Sequence, residues 1–470
     1  MKKHRVVSRA IALSLLAVVV LVGCAPAPTP EVVEKVVKET VVVEETVIVE
    51  EEVEVPVEVT STPEPREGPV MISWWSHWAE EDNKKAVIEQ VIADYEAEHP
   101  DVDIVVTWWQ KGEMWPAMRN AFTAGEGFPD IFYYDIGVLE FIDAGWLEDL
   151  SDDVNWDNVI PVGKDFWTRD GGVWAVPLEG SSDHIYYNVR LFDELGIEVP
   201  DGFQFTADEF YEVCKTCRDA GYDPFAQGIG DRDYPGQFLY KYILLHQLGA
   251  EEFVKLWNGE TGWDRPEVRE ALDYCQELAA IPAMPDVYTT MTLAESHRYF
   301  HTEEKACMFL VGAWYTGRAF VPVEQGGQPP DFRLSFLDYP EMPNGVGNNQ
   351  GFYSFGGSLA VASMSEHKDI ATDIVNFFTQ PKYGNLWLSQ TAVPTGLKTD
   401  AATMPESDWK WYSEEYDKVN SDVDWKVIKT SECGDLIDAY TAVFNEGLPQ
   451  NLMSVDEAID MLEEARAKCQ

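Results

Sequence analysis

The fold is decided by residues 70–108, which read VMISWWSHWAEEDNKKAVIEQVIADYEAEHPDVDIVVTW. They carry a helix pattern between two strand patterns. Residues 71–75 predict a first strand, and the apolar positions of residues 102–108 predict a second. Residues 80–99 predict a helix that ends at Pro100, because apolar residues recur there at helical spacing. The apolar residues on one face of this helix are Val87, Ile88, Val91, Ile92 and Tyr95.

The same alternation of helix and strand continues along the chain. A second helix pattern follows, and residues 130–134 predict a third strand. Strands that alternate with helices predict a parallel sheet covered on both faces, so the expected fold class is α/β. Two later helices are expected to begin at capping boxes, which pair Thr206 with Glu209 and Ser454 with Glu457.

The composition indicates a folded chain with an acidic surface. The 470 residues are 45% hydrophobic, which excludes wholesale disorder and leaves room for two lobes with separate cores. The formal net charge of -49 repels nucleic acid and anionic lipid, so neither is expected as a partner. The 17 tryptophans exceed ordinary usage and favour stacking surfaces for sugar rings as well as core packing.

The N-terminus predicts export. A basic start, an apolar run over residues 11–22 and small residues before Cys24 describe a signal peptide over residues 1–23. The ending Leu21-Val22-Gly23-Cys24 resembles the lipobox of bacterial lipoproteins. That resemblance implies cleavage before Cys24, lipidation of Cys24 and anchoring to the outer face of the cell membrane. The alternative is an ordinary signal peptide followed by an incidental cysteine.

Residues 24–69 differ in composition from the rest of the chain. They are rich in Pro at both ends and in Val and Glu between, and they contain no aromatic residue. Dense like charge and Pro favour an extended, disordered tether over a folded stalk, which is the alternative.

Six further cysteines remain, at positions 214, 217, 275, 307, 433 and 469. Outside the cytoplasm they could form disulfides, and the sequence leaves all fifteen full pairings open. The spacing of Cys214 and Cys217 fits a local disulfide, a redox motif or half a zinc site. No second such pair completes a metal site, so none is predicted, and structural disulfides or buried thiols are favoured.

Several segments, taken in order, resemble the sugar-type (family 1) extracellular solute-binding proteins of ABC importers, with maltose-binding protein as a distant relative. The segments are 71–78, 127–132, 171–177, 185–188, 308–314, 356–361, the predicted helix over 365–380, and 393–396. The resemblance implies a two-lobed, periplasmic-binding-protein-like fold with crossing hinge strands and ligand between the lobes. It implies that lobe 1 comprises residues 70–180 plus 350–395 and that lobe 2 comprises residues 181–349 plus 396–470.

Six candidate ligand-binding residues follow predicted strands: Ser76, His77, Trp78, Tyr134, Asp135 and Trp314. Ligands of open α/β sheets sit beyond the carboxyl ends of strands. A neutral sugar requires polar side chains at its hydroxyl edges and aromatic rings on its faces, and these residues supply both. The alternatives are a core tryptophan for Trp314 and a surface or packing role for His77.

The resemblance adds five further candidates. Asp231 and Tyr234 lie in a segment similar to the family's polar loop, which ends in a ligand-facing aromatic residue; a solvated turn is the alternative. Glu179 and Ser181 lie at the crossover, where a two-residue shift leaves open which one replaces the family's sugar-binding carboxylate. Gly357 suits close approach of the backbone to ligand, although it could simply belong to a turn.

These observations together predict a receptor that captures a sugar or oligosaccharide and presents it to ABC transporter permease subunits. No cofactor and no enzymatic activity are expected, because no catalytic motif stands out among the abundant carboxylates. One alternative is an extracellular glycoside hydrolase, which needs a carboxylate pair across the cleft. Another is a receptor for a cationic solute such as a polyamine, which needs a cage of carboxylates and aromatic rings.

Overall fold

The computed structural model describes residues 68–135, 138–231, 237–403, 406, 410–420, 422–427 and 433–469. The predicted signal peptide, Cys24, the tether up to residue 67 and Tyr234 lie outside these residues. Within the described ranges, no helix is both long enough and apolar enough to cross a membrane.

A nine-stranded sheet forms the centre of the fold. Its strands are β1 (Val70–Ser76), β2 (Val102–Trp108), β3 (Ile131–Tyr134), β6 (Val176–Asn188), β7 (Asp223–Phe225), β8 (Ala306–Gly312), β9 (Leu334–Leu337), β10 (Gln350–Val361) and β11 (Asp424–Lys426). The short strands β4 (Thr168–Arg169) and β5 (Gly172–Val173) pair separately as a two-stranded sheet. The main path of the sheet is β2-β1-β3-β10-β6-β8-β7, with β11 beside β10 and β9 beside β6. β1 pairs in parallel with both β2 and β3, which confirms the predicted parallel arrangement.

Helices surround the sheet. They are α1 (Asp82–Glu98), α2 (Lys111–Ala124), α3 (Glu140–Asp143), α4 (Pro161–Trp167), α5 (Val189–Leu195), α6 (Ala207–Asp219), α7 (Gln237–Leu248), α8 (Ala250–Trp257), α9 (Pro266–Ala279), α10 (Leu293–His301), α11 (Thr316–Ala319), α12 (Lys368–Phe378), α13 (Pro381–Thr391), α14 (Lys410–Asn420), α15 (Gly434–Tyr440) and α16 (Val455–Lys468). Both predicted capping boxes are present, at the starts of α6 and α16. α1 begins two residues later than expected, because residues 79–80 form a turn after β1.

The two long strands β6 and β10 join two hydrophobic cores. One core draws its buried residues from 72–178 and 359–397, and another draws them from 185–342 and 436–465. β6 pairs antiparallel with β10 as far as Ser182, and from Asp183 onward it pairs with β8 and β9. The β6–β10 register shifts between Ser354 and Gly357. We propose that the two lobes correspond to these cores, with the boundaries expected from the sequence.

Two disulfides connect distant parts of the chain. Cys217 of α6 bonds to Cys307 of β8, and Cys433 bonds to Cys469. Cys214 and Cys275 are buried thiols. Because Cys217 is bonded to Cys307, the local Cys214–Cys217 disulfide and the half zinc site considered for this spacing are both wrong.

Candidate functional site

The carboxyl end of β1 and the middle of the two crossing strands meet at one point. A Cβ atom added to Gly357 would lie 2.6 Å from Glu179 Cβ and 2.9 Å from the ring of Trp78. Real Cβ contacts are not this short, so only glycine permits this approach of β10 to β6 and to Trp78. Both neighbours are buried, Trp78 completely. The structure therefore brings three of the predicted site residues together.

An aromatic cluster lies beside this point, where β1 and β3 end. The ring centroids of His77 and Tyr133 are 3.8 Å apart, and Trp78 meets Tyr133 edge-to-face at 5.3 Å. The Tyr133 hydroxyl donates a hydrogen bond to Asp135 Oδ2 at 3.3 Å. His77, Trp78 and Asp135 thus lie together around Tyr133.

Tyr134 occupies a different position from the one expected of a ligand contact. Its ring packs against Trp167 at 5.0 Å inside the first core, and its hydroxyl donates to the carbonyl oxygen of Val138 at 3.0 Å. Successive side chains of a strand point to opposite faces, so Tyr133 and not Tyr134 faces His77. This geometry favours a packing role for Tyr134.

Four charged side chains adjoin the aromatic cluster. Lys84 Nζ lies 2.6 Å from Glu81 Oε2 and 2.5 Å from Glu179 Oε2, and Arg318 lies 3.4 Å from Glu81 Oε1. Burial alone would raise the pKa of Glu81, but the charges of Lys84 and Arg318 outweigh it and lower that pKa to about 2. Burial likewise opposes the charge on Lys84, yet Glu179 and Glu81 raise its pKa. Two carboxylates and two cations are therefore paired here, with Lys84, Glu81 and Glu179 buried and Arg318 partly exposed.

Two polar atoms at the end of β1 are buried without a hydrogen-bond partner among the described residues. They are Ser76 Oγ and Trp78 Nε1, and neither residue exposes any surface. Buried polar groups in proteins normally have a partner, so both atoms are candidates for hydrogen bonds to a bound molecule or water.

Trp314 and Ser181 approach each other at the second lobe. Trp314 lies in a 3-10 turn directly after β8, is half-buried and packs against the first core and against a smaller buried cluster that includes Phe309 and Tyr315. A Cβ on Gly312 would come within 2.5 Å of both Ser181 Oγ and Trp314 Nε1. The guanidinium of Arg318 lies 5.6 Å from the Trp314 ring centroid. Trp314 therefore lies between two clusters of buried residues and not inside one of them.

Asp231 is exposed, and its carboxylate accepts a hydrogen bond from the backbone N–H of Leu293 at the start of α10. This contact accounts for Asp231 structurally and does not bring it to the other candidates. Tyr234, its predicted neighbour in the same loop, lies outside the described residues.

The sequence interpretation missed Tyr133, Glu81, Lys84 and Arg318. Strand alternation after His77 could have indicated Tyr133. Lys84 also carried a signal, because it lies three and four residues before Val87 and Ile88 on the buried face of α1. No local pattern identifies its partners, since Glu179 and Arg318 are distant in the sequence.

The profile of the family described as "Bacterial extracellular solute-binding protein" matches residues 78–385. The chain is 25% identical over 256 residues to an uncharacterized ABC transporter extracellular-binding protein of Pyrococcus horikoshii, which covers 51% of the chain and 55% of the relative. The chain thus spans about half the length of that relative. It is 21% identical over 358 residues to the melibiose/raffinose/stachyose-binding protein MelE of Bacillus subtilis, covering 71% and 76% of the two chains.

Solved structures share the fold. A chitin oligosaccharide binding protein superposes with a TM-score of 0.70 at 15% identity, covering 85% of the chain and 98% of that protein. The solute-binding protein RafE in complex with raffinose gives a TM-score of 0.63 at 18% identity, covering 84% and 100%. The expected two-lobed α/β fold is thereby confirmed.

Proposed function

Because the chain belongs to the family of bacterial extracellular solute-binding proteins, we propose that it captures a sugar or oligosaccharide between its lobes. It then delivers this ligand to the permease subunits of an ABC transporter. The printed names of several relatives support a sugar, since they include a multiple sugar-binding protein and an arabinooligosaccharide-binding protein.

The observation that carries this proposal is the meeting of Trp78, Glu179 and Gly357 at the crossing strands. A sugar ring presents C–H groups on its faces, which pack against aromatic rings, and hydroxyls at its edges, which donate to carboxylates. The site places an aromatic ring and a carboxylate of these two kinds side by side, both of them buried in this structure. His77, Tyr133 and Asp135 extend it toward the end of β3.

Closure of the lobes would complete the site. Trp314 and Arg318 of the second lobe face the first lobe, where Arg318 pairs with Glu81. A ligand that contacts both lobes shifts the equilibrium from open to closed, because those contacts exist together only in the closed form. Binding of this kind requires no covalent step, so we propose a receptor and not an enzyme.

Export and anchoring belong to the same proposal. The N-terminal signal and the lipobox-like ending support cleavage before Cys24 and attachment of lipid to its thiol and amine. The acidic tether would then hold the two lobes away from the membrane. Cys24→Ser should release the protein from membrane fractions, and a variant that stays membrane-bound and uncleaved contradicts the anchor.

A thermal-shift screen of the purified protein tests the ligand class. Mono- and oligosaccharides are expected to raise the melting temperature, because a ligand that binds only the folded state stabilises it. Polyamines are screened in parallel. A rise in melting temperature with polyamines and with no sugar would overturn the sugar proposal. Incubation with the best oligosaccharide should leave it intact, whereas shortened products would indicate a hydrolase.

A further inference from the structure

Lys84 is enclosed by groups that usually surround a bound amine. Its ammonium contacts one oxygen of Glu81 and one of Glu179, at 2.6 and 2.5 Å. It also lies 5.4 Å from the ring centroid of Trp78 and 5.9 Å from that of Trp387. Only 2% of the side chain is exposed. Carboxylates together with aromatic faces form the cage by which proteins hold cationic ligands.

The next residue of α1 shows that this enclosure is particular to Lys84. Lys85 pairs with Asp82 at 2.5 Å at the protein surface, with 23% of its side chain exposed. Lys84 instead lies on the apolar face of α1 with Val87 and Ile88. Burying an ammonium is costly unless carboxylates compensate it, and here they come from Glu81, the residue before α1, and from Glu179 of β6.

The cage lies where the second lobe meets the candidate site. A Cβ on Gly317 would come within 3.0 Å of Lys84 Cε and 3.3 Å of its Nζ. Trp78 and Glu179 are shared, because each contacts both Lys84 and the position of Gly357. A cationic ligand at this place would compete with Lys84 for the same carboxylates and the same ring.

We infer that Lys84 is a tethered cation that fills an amine-type cage and so makes the cleft select neutral over cationic ligands. This specificity role rests on the proposed sugar-binding function, in which Trp78 and Glu179 line the site. Lys84 supplies the positive charge that a polyamine would otherwise bring. The remaining charge of Glu81 is paired with Arg318.

Chemical rescue of Lys84→Ala tests the inference directly. The variant should lose at least ~5 °C in melting temperature, because two buried carboxylates lose their shared partner. Propylammonium, which matches the removed side chain, should restore about half of that loss at high millimolar concentration. Propan-1-ol should restore none, and Lys85→Ala should show neither the loss nor the rescue.

The outcomes are decisive even when the variant folds poorly. A Lys84→Ala chain that folds only with propylammonium present supports the cage, whereas equal rescue by propan-1-ol overturns it and indicates simple filling of space. In the wild type, putrescine and spermidine should not change the melting temperature. A rise in melting temperature with either amine that is abolished by sugar would overturn the inference. If propylammonium rescues Lys84→Ala but no sugar raises the melting temperature of the wild type, the proposed sugar-binding function fails while the cage is supported. The two failures are therefore distinguishable.

Discussion

The two sides of the candidate site differ in how firmly they are built. On the first lobe and the crossing strands, Trp78, Tyr133 and Glu179 are buried and fixed by neighbours of their own lobe. On the second lobe, Trp314 is half-buried, and Arg318 and Gln325 reach across to Glu81 and Asp82. Under the proposed function, we therefore expect the first side to be set before ligand arrives and the second to depend on closure. Variants of the first side should affect stability and affinity together, and variants of the second should affect affinity alone.

The largest effect is expected from Glu179→Gln, on the fixed side. It leaves buried Lys84 with one carboxylate partner, which should cost about 3 to 5 kcal/mol of unfolding free energy. Urea denaturation measures this loss, and calorimetry should show weaker sugar binding. Glu148→Gln is the matched control, because Glu148 forms a more exposed pair with Lys368 at 2.7 Å. Equal stability of the two variants would contradict a buried role for Glu179.

Gly357→Ala is expected to cost about 1 to 3 kcal/mol, because the new methyl group would press on Glu179 and Trp78. Sugar affinity should fall along with the melting temperature. Gly356→Ala is the control at the adjacent position, where the nearest atom to an added Cβ is 3.9 Å away. If Gly356→Ala and Gly357→Ala lower sugar affinity and melting temperature equally, the close approach at Gly357 does not define the site.

Trp314→Ala tests the side that depends on closure. Loss of an aromatic anchor should weaken sugar binding by about 2 kcal/mol, or roughly thirtyfold in Kd, while the melting temperature without ligand stays close to wild type. Calorimetry and circular dichroism measure the two quantities. Trp411→Ala removes a partly exposed tryptophan of α14 and should leave affinity unchanged. A collapsed melting temperature in Trp314→Ala would identify a core tryptophan instead.

The smallest effect separates two adjacent tyrosines. Tyr133→Phe removes the hydroxyl that donates to Asp135 and should lower both stability and sugar affinity by about 1 kcal/mol. Tyr134→Phe removes a hydroxyl that bonds to the Val138 carbonyl and should lower stability by a similar amount without changing affinity. Reversed results from calorimetry and denaturation would place Tyr134, and not Tyr133, in the site.

The sequence predicted those features that depend on local patterns. β2 runs from Val102 to Trp108 as expected, because alternation is visible within seven residues. The partners of Lys84 and Cys217 could not be predicted, since Glu179 lies 95 residues from Lys84 and Cys307 lies 90 residues from Cys217. The sequence left Glu179 and Ser181 as equal candidates, and in the structure Glu179 is the one beside Trp78 and Gly357. Only the folded chain brings these distant residues together.

Formation of the Cys217–Cys307 disulfide requires the correct pair of thiols to meet, because more than one thiol is close enough to react. Cys214 lies on α6 one turn before Cys217, and both side chains are fully buried. An oxidant that meets the chain before α6 packs beside β8 could join Cys214 to Cys307 instead. Native connectivity therefore requires either that α6 packs beside β8 before oxidation or that the free thiol of Cys217 later exchanges into a mispaired Cys214–Cys307 bond.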